Sequence, residues 1–497
     1  MKLKIKDMDV ETGGPLVAVM HVDDAKMLDF HHGDRVRLTY KDRKAVSILN
    51  LAESKRSVPI GSIGCYEEVL RKLGAKGGQK VGIALEEKPA SVQYIKKKLN
   101  GGTLTYKEFY QIVSDISQNK LNDIELTYFV SACHTNVMTL RETIDLTKAM
   151  IATGDVLKLK KKPVIDKHCV GGVAGNRTTM IIVPILAAAG LTVPKTSSRS
   201  ITSPAGTADT VEVLTKVSFN VDRMKKIVNK IGACMVWGGS INLAPADDRI
   251  IRVEHPLSID SRSQLLASII AKKASVSATH VLVDIPVGRG AKIETMDKAR
   301  DLKRQFEVIG RSVGISIKVI ITDGSQPIGN GLGPALEARD VMWILRNDEK
   351  GPRDLRKKSV MMAGLILEMA GKARKGQGKE KALDLLESGK AYKKMQEIIR
   401  AQGGKVKRPE DLPIAKFAQD VFAAKSGRIT HIDNTYISKI ARAAGAPRDS
   451  TAGVYLYLHK NDLVKKGEIL FTIYSNSRQR LDFAREQTRL NVGFEIK

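Results

Sequence analysis

One stretch of this chain constrains its fold more than any other: a short β-type run is followed by a glycine-rich turn and a long apolar segment. The run Val164-Ile165 comes directly after Pro163, and the turn contains glycines at 171, 172 and 175. The apolar segment, Thr178 to Ala189, predicts a buried helix. In a strand–turn–helix unit, free backbone N–H groups point at one place, where an anion can bind. Glycines let the backbone approach that anion closely.

The spacing of these glycines narrows the kind of anion site. It fits neither G-x-x-x-x-G-K-[ST] nor G-x-G-x-x-G. Lys167 adds a positive charge, and Thr178 and Thr179 add hydroxyl groups. The stretch therefore predicts a site for phosphate or another oxyanion, and the alternative is an ordinary tight β–α connection.

A second polar loop, residues 197–209, has the sequence SSRSITSPAGTAD and leads into a helix that begins near Thr207. Six hydroxyl-bearing residues surround Arg199, namely Ser197, Ser198, Ser200, Thr202, Ser203 and Thr207. Hydroxyls, free N–H groups and a guanidinium are the donors that a phosphate accepts from. The loop therefore predicts a second anion site, with a polar loop capped by Thr207 as the alternative.

A third polar feature lies on the helix expected after Pro256. Its residues Asp260, Gln264, Ser268 and Lys272 are four apart and form one polar stripe. The stripe is either the solvated face of the helix or a row of substrate contacts. Asp260 is either an N-cap, whose pKa is then lowered, or a proton donor whose pKa is raised by apolar neighbours. Two weaker candidates for the site are Lys292 and the glycine-rich link 324–333.

The length and the net charge of the chain limit the classes of protein to which it can belong. A chain of 497 residues with 42% hydrophobic residues predicts two to four globular domains. The formal net charge of +28 attracts anions such as nucleic acid, anionic lipid or phosphorylated substrates. The basic residues are spread along the chain, which favours a general surface bias. An aromatic content of 5% argues against a nucleic-acid-binding module.

The cysteines and the chain start indicate a cytoplasmic protein. Four cysteines occur without C-x-x-C spacing, which predicts reduced thiols rather than disulfides or a zinc site. The charged start MKLKIKD is unlike a signal peptide. The longest apolar run, Met180 to Leu191, is too short to span a bilayer.

The order of patterns predicts an α/β multidomain protein: a helical bundle plus an α/β domain with a mostly parallel sheet, flanked by a β-rich N-terminal and an α+β C-terminal domain. Helix start signals such as Thr105-x-x-Glu108 and Thr139-x-x-Glu142 mark the bundle. In such sheets, ligands bind at the carboxyl ends of the strands. The expected domains are a β-rich domain at 1–86, a helical domain at 87–162 joined in space by about 245–275, an α/β phosphate-binding domain at 163–347, a helical connection at 348–408 and a β-rich domain at 409–497.

Four motifs together resemble the thymidine phosphorylase family: DKHCVGGVAGN, SSRSITSPAGTAD, LLASIIAKK and QPIG. The match runs from about Ser91 to the C-terminus. The additional N-terminal unit and the SRSITS form of the second loop resemble the archaeal branch of that family, the AMP phosphorylases. Pyrimidine nucleoside phosphorylases carry a glycine- and histidine-containing loop at Ser200 to Ser203. They also usually have serine at the position of Cys169.

The resemblance implies phosphorolysis of nucleoside 5′-monophosphates (AMP, also CMP and UMP) to ribose 1,5-bisphosphate and free base, a pentosyltransferase reaction of nucleotide salvage. It implies that Asp260 donates a proton to the departing base. The implied nucleotide-binding residues are Gly172, Ser198, Arg199, Ser200, Ile201, Thr202, Ser203, Thr207, Ser268 and Lys292. Further contacts are expected from Lys167, His168 and Lys272. Inorganic phosphate is a co-substrate, no metal or other cofactor is expected, and a homodimer or larger homo-oligomer is expected.

Three other functions stay open at this point. The first is a pyrimidine nucleoside (thymidine) phosphorylase. The second is a phosphoribosyl-transferring enzyme of similar build, which would need Mg²⁺, although the sequence has no acidic metal-binding motif. The third is a nucleic-acid-binding protein, which the charge of +28 would favour and which would show strongly salt-dependent retention on nucleic acid.

Overall fold

A computed structural model of the chain describes residues 1–11, 13, 16–200, 203–241, 245–254, 261–490 and 492–497. The chain divides into two compact units. The first comprises Met1–Gly154 and Ala244–Ala271, and the second comprises Asp155–Leu243 and Lys272–Lys497. In the part of the chain that the structure describes, no helix combines the length and the apolar character that a membrane crossing requires.

The strands are, in chain order, β1 (Lys2–Asp7), β2 (Val17–His21), β3 (Arg35–Tyr40), β4 (Arg43–Ala52), β5 (Ser62–Cys65), β6 (Lys80–Leu85), β7 (Ile165–Cys169), β8 (Val193–Ser197), β9 (Ala233–Trp237), β10 (His280–Val287), β11 (Ser316–Asp323), β12 (Gly331–Leu332), β13 (Phe417–Phe422), β14 (Gly427–Ile432), β15 (Gly453–Leu456), β16 (Leu463–Val464), β17 (Ile469–Ser475) and β18 (Phe494–Ile496). The α-helices are α1 (Val22–Leu28), α2 (Glu67–Leu73), α3 (Ser91–Leu99), α4 (Tyr106–Ser117), α5 (Asp123–Thr135), α6 (Leu140–Thr153), α7 (Thr178–Ala188), α8 (Thr207–Glu212), α9 (Val221–Ile231), α10 (Pro245–Glu254), α11 (Arg262–Ser275), α12 (Met296–Ser312), α13 (Pro334–Leu345), α14 (Arg353–Met369), α15 (Gly378–Glu387), α16 (Lys390–Ala401), α17 (Asn434–Ala444) and α18 (Arg478–Leu490).

The first unit begins with a closed six-stranded barrel. Its strand order is β1-β5-β2-β4-β3-β6, and closure leaves no strand edge unpaired. The inward-facing side chains are apolar and fully buried, as at Leu3, Val36 and Leu38. The β-rich character predicted for the N-terminal part of the chain is therefore confirmed, as a barrel.

The helices α3 to α6 and α10, together with α11 up to Ala271, form the rest of the first unit around a separate apolar core. The predicted start of α6 is present: the amide of Glu142 donates to the Thr139 hydroxyl at 3.1 Å, and the Glu142 carboxylate accepts from the Thr139 amide at 2.9 Å. Asn122 makes the same reciprocal pair with Glu125, because an amide oxygen also caps a helix. Glu125 then pairs with Arg35, so the cap also ties the bundle to the barrel.

The second unit contains the parallel sheet that the sequence predicts. Strands β11, β10 and β7 pair in that order, β8 pairs with β9, and every one of these pairings is parallel. A parallel bridge between Val164 and Thr192 joins β7 to β8. The order is thus β11-β10-β7-β8-β9. Because the strands are parallel, the loops that follow them leave the same edge of the sheet.

The apolar segment after the glycine-rich turn is α7, in which every residue from Thr178 to Ala187 is buried. Helices α14, α15 and α16 pack against α7 and share its apolar core. The chain then forms two antiparallel sheets, ordered β12-β15-β17-β13 and β16-β14-β18, with α17 and α18 beside them. This is the α+β arrangement expected for the C-terminal part.

Candidate functional site

Three loops that leave the carboxyl edge of the sheet meet through their glycines. A Cβ atom added to Gly172, after β7, would lie 2.1 Å from the backbone nitrogen of Lys292, after β10. A Cβ on Gly175 would lie 2.2 Å from the Ile328 carbonyl oxygen, after β11. Both glycines have positive φ, +88° and +72°. The structure thus brings together two of the predicted site residues, Gly172 and Lys292, by backbone contact that no other residue type allows.

Hydrogen bonds from three directions hold the glycine-rich turn. The amide of Val170 donates to the Asp284 carbonyl at 3.0 Å, and the amide of Ile328 donates to the Ala174 carbonyl at 3.0 Å. The amide of Ala174 donates to the side chain of Asn434, at 3.2 Å. Asn434 belongs to the C-terminal part of the chain and was not identified from the sequence, because nothing in its local pattern points to a loop 260 residues away.

Beneath the turn lies a buried polar chain. Lys167 donates to the Thr178 hydroxyl at 2.8 Å, and that hydroxyl donates to the Asn176 side chain at 3.0 Å. Asn176 in turn donates to the Cys169 sulfur at 3.3 Å. Burial lowers the pKa of Lys167 and raises the pKa of the Cys169 thiol. A bound anion near Lys167 would oppose the first of these shifts, because it favours the charged amine.

The other face of β7 carries a second buried charge cluster. Asp166 is fully buried and contacts the amines of Lys273 at 2.7 Å and Lys195 at 3.3 Å. Burial lowers the pKa of Lys273 to about 8. Burial, reinforced by the charges of Lys273 and Lys195, lowers the pKa of His168 well below its usual value, so His168 is neutral at pH 7.

Positive charge exceeds negative charge around this strand. A further pair, Asp284 and Lys358 at 2.9 Å, lies on β10 and α14. Among the described residues, four largely buried lysines (167, 195, 273 and 358) therefore accompany two buried aspartates (166 and 284). Unbalanced buried cations are costly. Their accumulation at this strand favours binding of an anion nearby.

The serine-rich loop between β8 and α8 is closed by Asp209. One carboxylate oxygen of Asp209 accepts from the amides of Ser200 and Gly206, both at 2.8 Å. The loop folds back tightly, since a Cβ on Gly206 would lie 2.5 Å from the Ser200 nitrogen. Asp209 was not identified as a site residue from the sequence. Its position at the third residue of a helix, where an acidic side chain caps the preceding turn, is the local signal that could have found it.

Arg199 is already engaged within this loop. It donates to Glu212 at 2.5 and 2.8 Å and to Asp209 at 3.1 Å, and it lies over the Trp237 ring at 5.0 Å. The hydrogen bonds to Glu212 raise the pKa of Arg199. Arg199 therefore anchors the loop to α8, and a direct contact of Arg199 with substrate stays a prediction.

The hydroxyls of the loop also contact each other. The Ser200 and Ser203 hydroxyl oxygens are 3.1 Å apart, and the Ser203 hydroxyl donates to the Ala205 carbonyl at 2.9 Å. The Ser198 carbonyl accepts from the amide of Ala208 at 3.2 Å, and Thr207 begins α8. These serines therefore stand together on one short loop, as the sequence predicts.

The remaining predicted residues are distributed as follows. Asp260, Ile201 and Thr202 lie outside the described residues. Ser268 lies on the part of α11 that belongs to the first unit. Lys272 lies on the remaining part of that helix, which belongs to the second unit. Within the described ranges, no group of three or more His, Cys, Asp or Glu residues is arranged to hold a metal ion.

Comparison with known proteins gives similarity over nearly the whole chain. An AMP phosphorylase of Pyrococcus furiosus is 47% identical over 485 residues, which cover 97% of this chain and 95% of that protein. An AMP phosphorylase of Thermococcus sibiricus is 46% identical, covering 98% and 96% of the two chains. The chain belongs to the AMP phosphorylase family. The resemblance carried by the four motifs is therefore confirmed.

The matches to family domains agree with this membership, and a solved structure shares the fold. The helical bundle domain of a glycosyl transferase family matches residues 92–154, and the a/b domain of that family matches residues 161–392. A pyrimidine nucleoside phosphorylase C-terminal domain matches residues 428–495. The crystal structure of anthranilate phosphoribosyltransferase from Thermus thermophilus shares the fold, with a TM-score of 0.52 at 18% identity, covering 62% of this chain and 98% of that chain.

Proposed function

We propose that this chain catalyses the phosphorolysis of nucleoside 5′-monophosphates, with AMP, CMP and UMP as substrates. Inorganic phosphate attacks C1′ of the ribose, the bond to the base breaks, and the products are ribose 1,5-bisphosphate and the free base. The observation that carries the proposal is the glycine-rich turn at Gly172, backed by an excess of buried lysines, in a member of the AMP phosphorylase family.

The reaction needs two anion sites, one for the attacking phosphate and one for the 5′-phosphate of the nucleotide. The turn that contains Gly172 and the serine-rich loop closed by Asp209 are two such sites, and they follow the neighbouring strands β7 and β8. Phosphate is already a nucleophile, so positioning and electrostatic stabilisation account for most of the rate enhancement. We assign substrate binding to Ser198, Ser200, Ser203, Thr207 and Lys292, and the family resemblance implies the same role for Ser268.

Asp260 is the residue that we propose as the general acid. When the bond to the base breaks, negative charge develops on the base and a proton is required there. Ile201 and Thr202, which lie between Ser200 and Ser203 in the sequence, are also proposed to bind the nucleotide, as the family resemblance implies. Exchange of Asp260 for Asn keeps the shape and removes the transferable proton. We therefore expect kcat to fall by roughly 100-fold or more in Asp260→Asn.

The decisive experiment measures base release from each monophosphate with and without inorganic phosphate. Adenine release from AMP that depends on phosphate, with ribose 1,5-bisphosphate as co-product, would support the proposal. Absence of phosphate-dependent release would refute it. The same assay with EDTA tests the expectation that no metal or other cofactor is required, because chelation should leave the rate unchanged.

A second candidate is a pyrimidine nucleoside phosphorylase. A putative thymidine phosphorylase of Legionella pneumophila is 42% identical over 484 residues, covering 97% of this chain and 93% of that protein. The two functions differ in whether the substrate carries a 5′-phosphate. A higher kcat/KM for uridine or thymidine than for UMP would favour this candidate over the first.

We also propose that the chain assembles as a homodimer or a larger homo-oligomer. The family resemblance supports this expectation. Light scattering coupled to size-exclusion chromatography would test it, and a particle with the mass of one chain at assay concentration would refute it.

A further inference from the structure

Asn434 joins parts of the chain that are distant in sequence. It is the first residue of α17 and is 2% exposed. Its side-chain oxygen accepts from the amide of Ala174, in the glycine-rich turn after β7, at 3.2 Å. Its side-chain nitrogen donates to the carbonyl of Gly324, after β11, at 3.0 Å. One amide therefore links two of the loops at the carboxyl edge of the sheet.

The link extends to the third loop. The amide of Gly324 donates to the carbonyl of Val287, at the end of β10, at 2.9 Å. Gly324 is also tightly packed, since a Cβ there would lie 2.8 Å from the Pro286 side chain. Through Gly324, the position of Asn434 is therefore coupled to the loop that carries Lys292.

Asn434 is itself held firmly. The carboxylate of Asp433 caps α17 by accepting from the amides of Thr435 at 2.8 Å and Tyr436 at 3.0 Å. The Ser438 hydroxyl donates to the Asn434 carbonyl at 2.7 Å. The amide of Asp433 donates to the Gly493 carbonyl at 2.8 Å, which ties the helix start to the end of the chain. The C-terminal fold thus presents a fixed side chain to the turn.

The turn needs such support. Its three glycines at 171, 172 and 175 all have positive φ, and without side chains they supply no packing of their own. A site that binds an anion through backbone N–H groups functions only if those groups keep their direction. A displacement of the order of 1 Å is enough to lose a large part of a catalytic rate.

We propose that Asn434 is a positioning residue for the glycine-rich turn, so that the C-terminal part of the chain sets the geometry of the nucleotide site. This inference rests on the proposed function. Asparagine suits the role because the position needs one donor and one acceptor on the same short side chain. Alanine would leave the Ala174 amide and the Gly324 carbonyl without their side-chain partner. Aspartate would place a second acceptor against the Gly324 carbonyl.

The experiment compares Asn434→Ala and Asn434→Asp with Asn476→Ala in the full-length chain. Asn476 is a matched control because its side chain also joins separate segments, through Lys416, Asp449 and Thr451, all within the C-terminal part. We expect the KM for AMP to rise about 10- to 100-fold in Asn434→Ala, with an unchanged circular dichroism spectrum. We expect no such rise in Asn476→Ala.

Asn434→Asp adds a readout that loss of stability alone would not produce. Burial and the neighbouring carboxylate of Asp433 raise the pKa of a carboxyl group at this position, against the single opposing hydrogen bond from the amide of Ala174. Its protonated form donates a hydrogen bond to Gly324, as the amide does. The KM of this variant, relative to the wild type at each pH, should therefore recover as the pH falls from about 8 to about 5.5.

The outcomes separate the two proposals. If the wild type shows no phosphate-dependent release of base, the proposed function fails. If the wild type is active and Asn434→Ala keeps the KM for AMP while remaining folded, the positioning role fails. An equal rise in KM in Asn476→Ala, or an Asn434→Asp variant that does not recover at low pH, would also overturn it.

Discussion

Gly172 and Lys292 touch through their backbones: a Cβ atom on Gly172 would lie 2.1 Å from the Lys292 nitrogen. Gly172→Ala must therefore displace one of the two loops, whereas Gly171→Ala meets nothing within 4 Å. Both glycines have positive φ, so both variants bear a backbone cost of about 1–2 kcal/mol. We expect kcat/KM for AMP to fall by at least about 100-fold in Gly172→Ala and far less in Gly171→Ala. Equal losses in steady-state assays of the two variants would contradict this account.

The carboxylate of Asp209 is expected to hold the serine-rich loop in its folded conformation. Its carboxylate holds the amides of Ser200 and Gly206 and contacts Arg199. Hydrogen bonds to a charged group contribute about 1.5–3 kcal/mol, so Asp209→Asn should lower the thermal midpoint and raise the KM for AMP about 10-fold. Asp222→Asn, at an exposed position in the first turn of α9, is the control and should change neither quantity. A normal KM in Asp209→Asn would mean that the loop keeps its shape without the carboxylate.

Replacement of Gln264 by an apolar residue of similar length is expected to stabilise the fold. Its side chain is 3% exposed, and neither amide atom has a hydrogen-bond partner among the described residues. Such a group costs about 1–3 kcal/mol, so Gln264→Met, which keeps the length and removes the polar atoms, should raise the free energy of unfolding by about 1 kcal/mol. Gln305→Met should bring no gain, because Gln305 donates to Asp301 at 3.1 Å. Urea unfolding of both variants measures the difference, and an equal change in the two would refute the explanation.

Asp340 should make stability depend on pH. Burial raises its pKa from 3.8 to about 7, against the opposing hydrogen bonds from the amides of Asn330 and Gly331, both at 2.7 Å. Because the folded pKa is raised, the folded state binds a proton that the unfolded state releases between these values. The stability from this group is complete below about pH 4 and is lost as the pH rises through 7, by at most about 4 kcal/mol.

The variant that tests this dependence is Asp340→Asn. It should be more stable than the wild type at pH 8 and should show a smaller loss of stability between pH 4 and pH 8. Asp297→Asn is the control, since that side chain is 92% exposed. Urea midpoints measured at intervals of pH give both slopes. If Asp340→Asn retains the full wild-type slope, the titrating group lies elsewhere.

The sequence by itself determined the features that depend on near neighbours. The run from Val164 to Thr179 specifies a strand, a turn and a helix because alternation, glycine and apolar length each act within a few residues. The cap formed by Thr139 and Glu142 is readable for the same reason, since the two residues are three apart. The parallel sheet followed from the regular alternation of such strands and helices. The motifs that carried the family resemblance are also short and continuous.

The tertiary structure alone determined which residues that are distant in sequence are in contact, and which charged side chains form ion pairs with each other. Arg199 and Asp209 have the residue types of a binding site, yet only the folded loop shows that they hold each other. Lys195 and Lys273 meet Asp166 from β8 and α11, and Asn434 reaches a turn 260 residues earlier in the chain. Such contacts leave no local pattern, because they arise when separate elements pack to bury apolar surface. Their partners are therefore fixed by the arrangement of the elements rather than by any neighbouring residue.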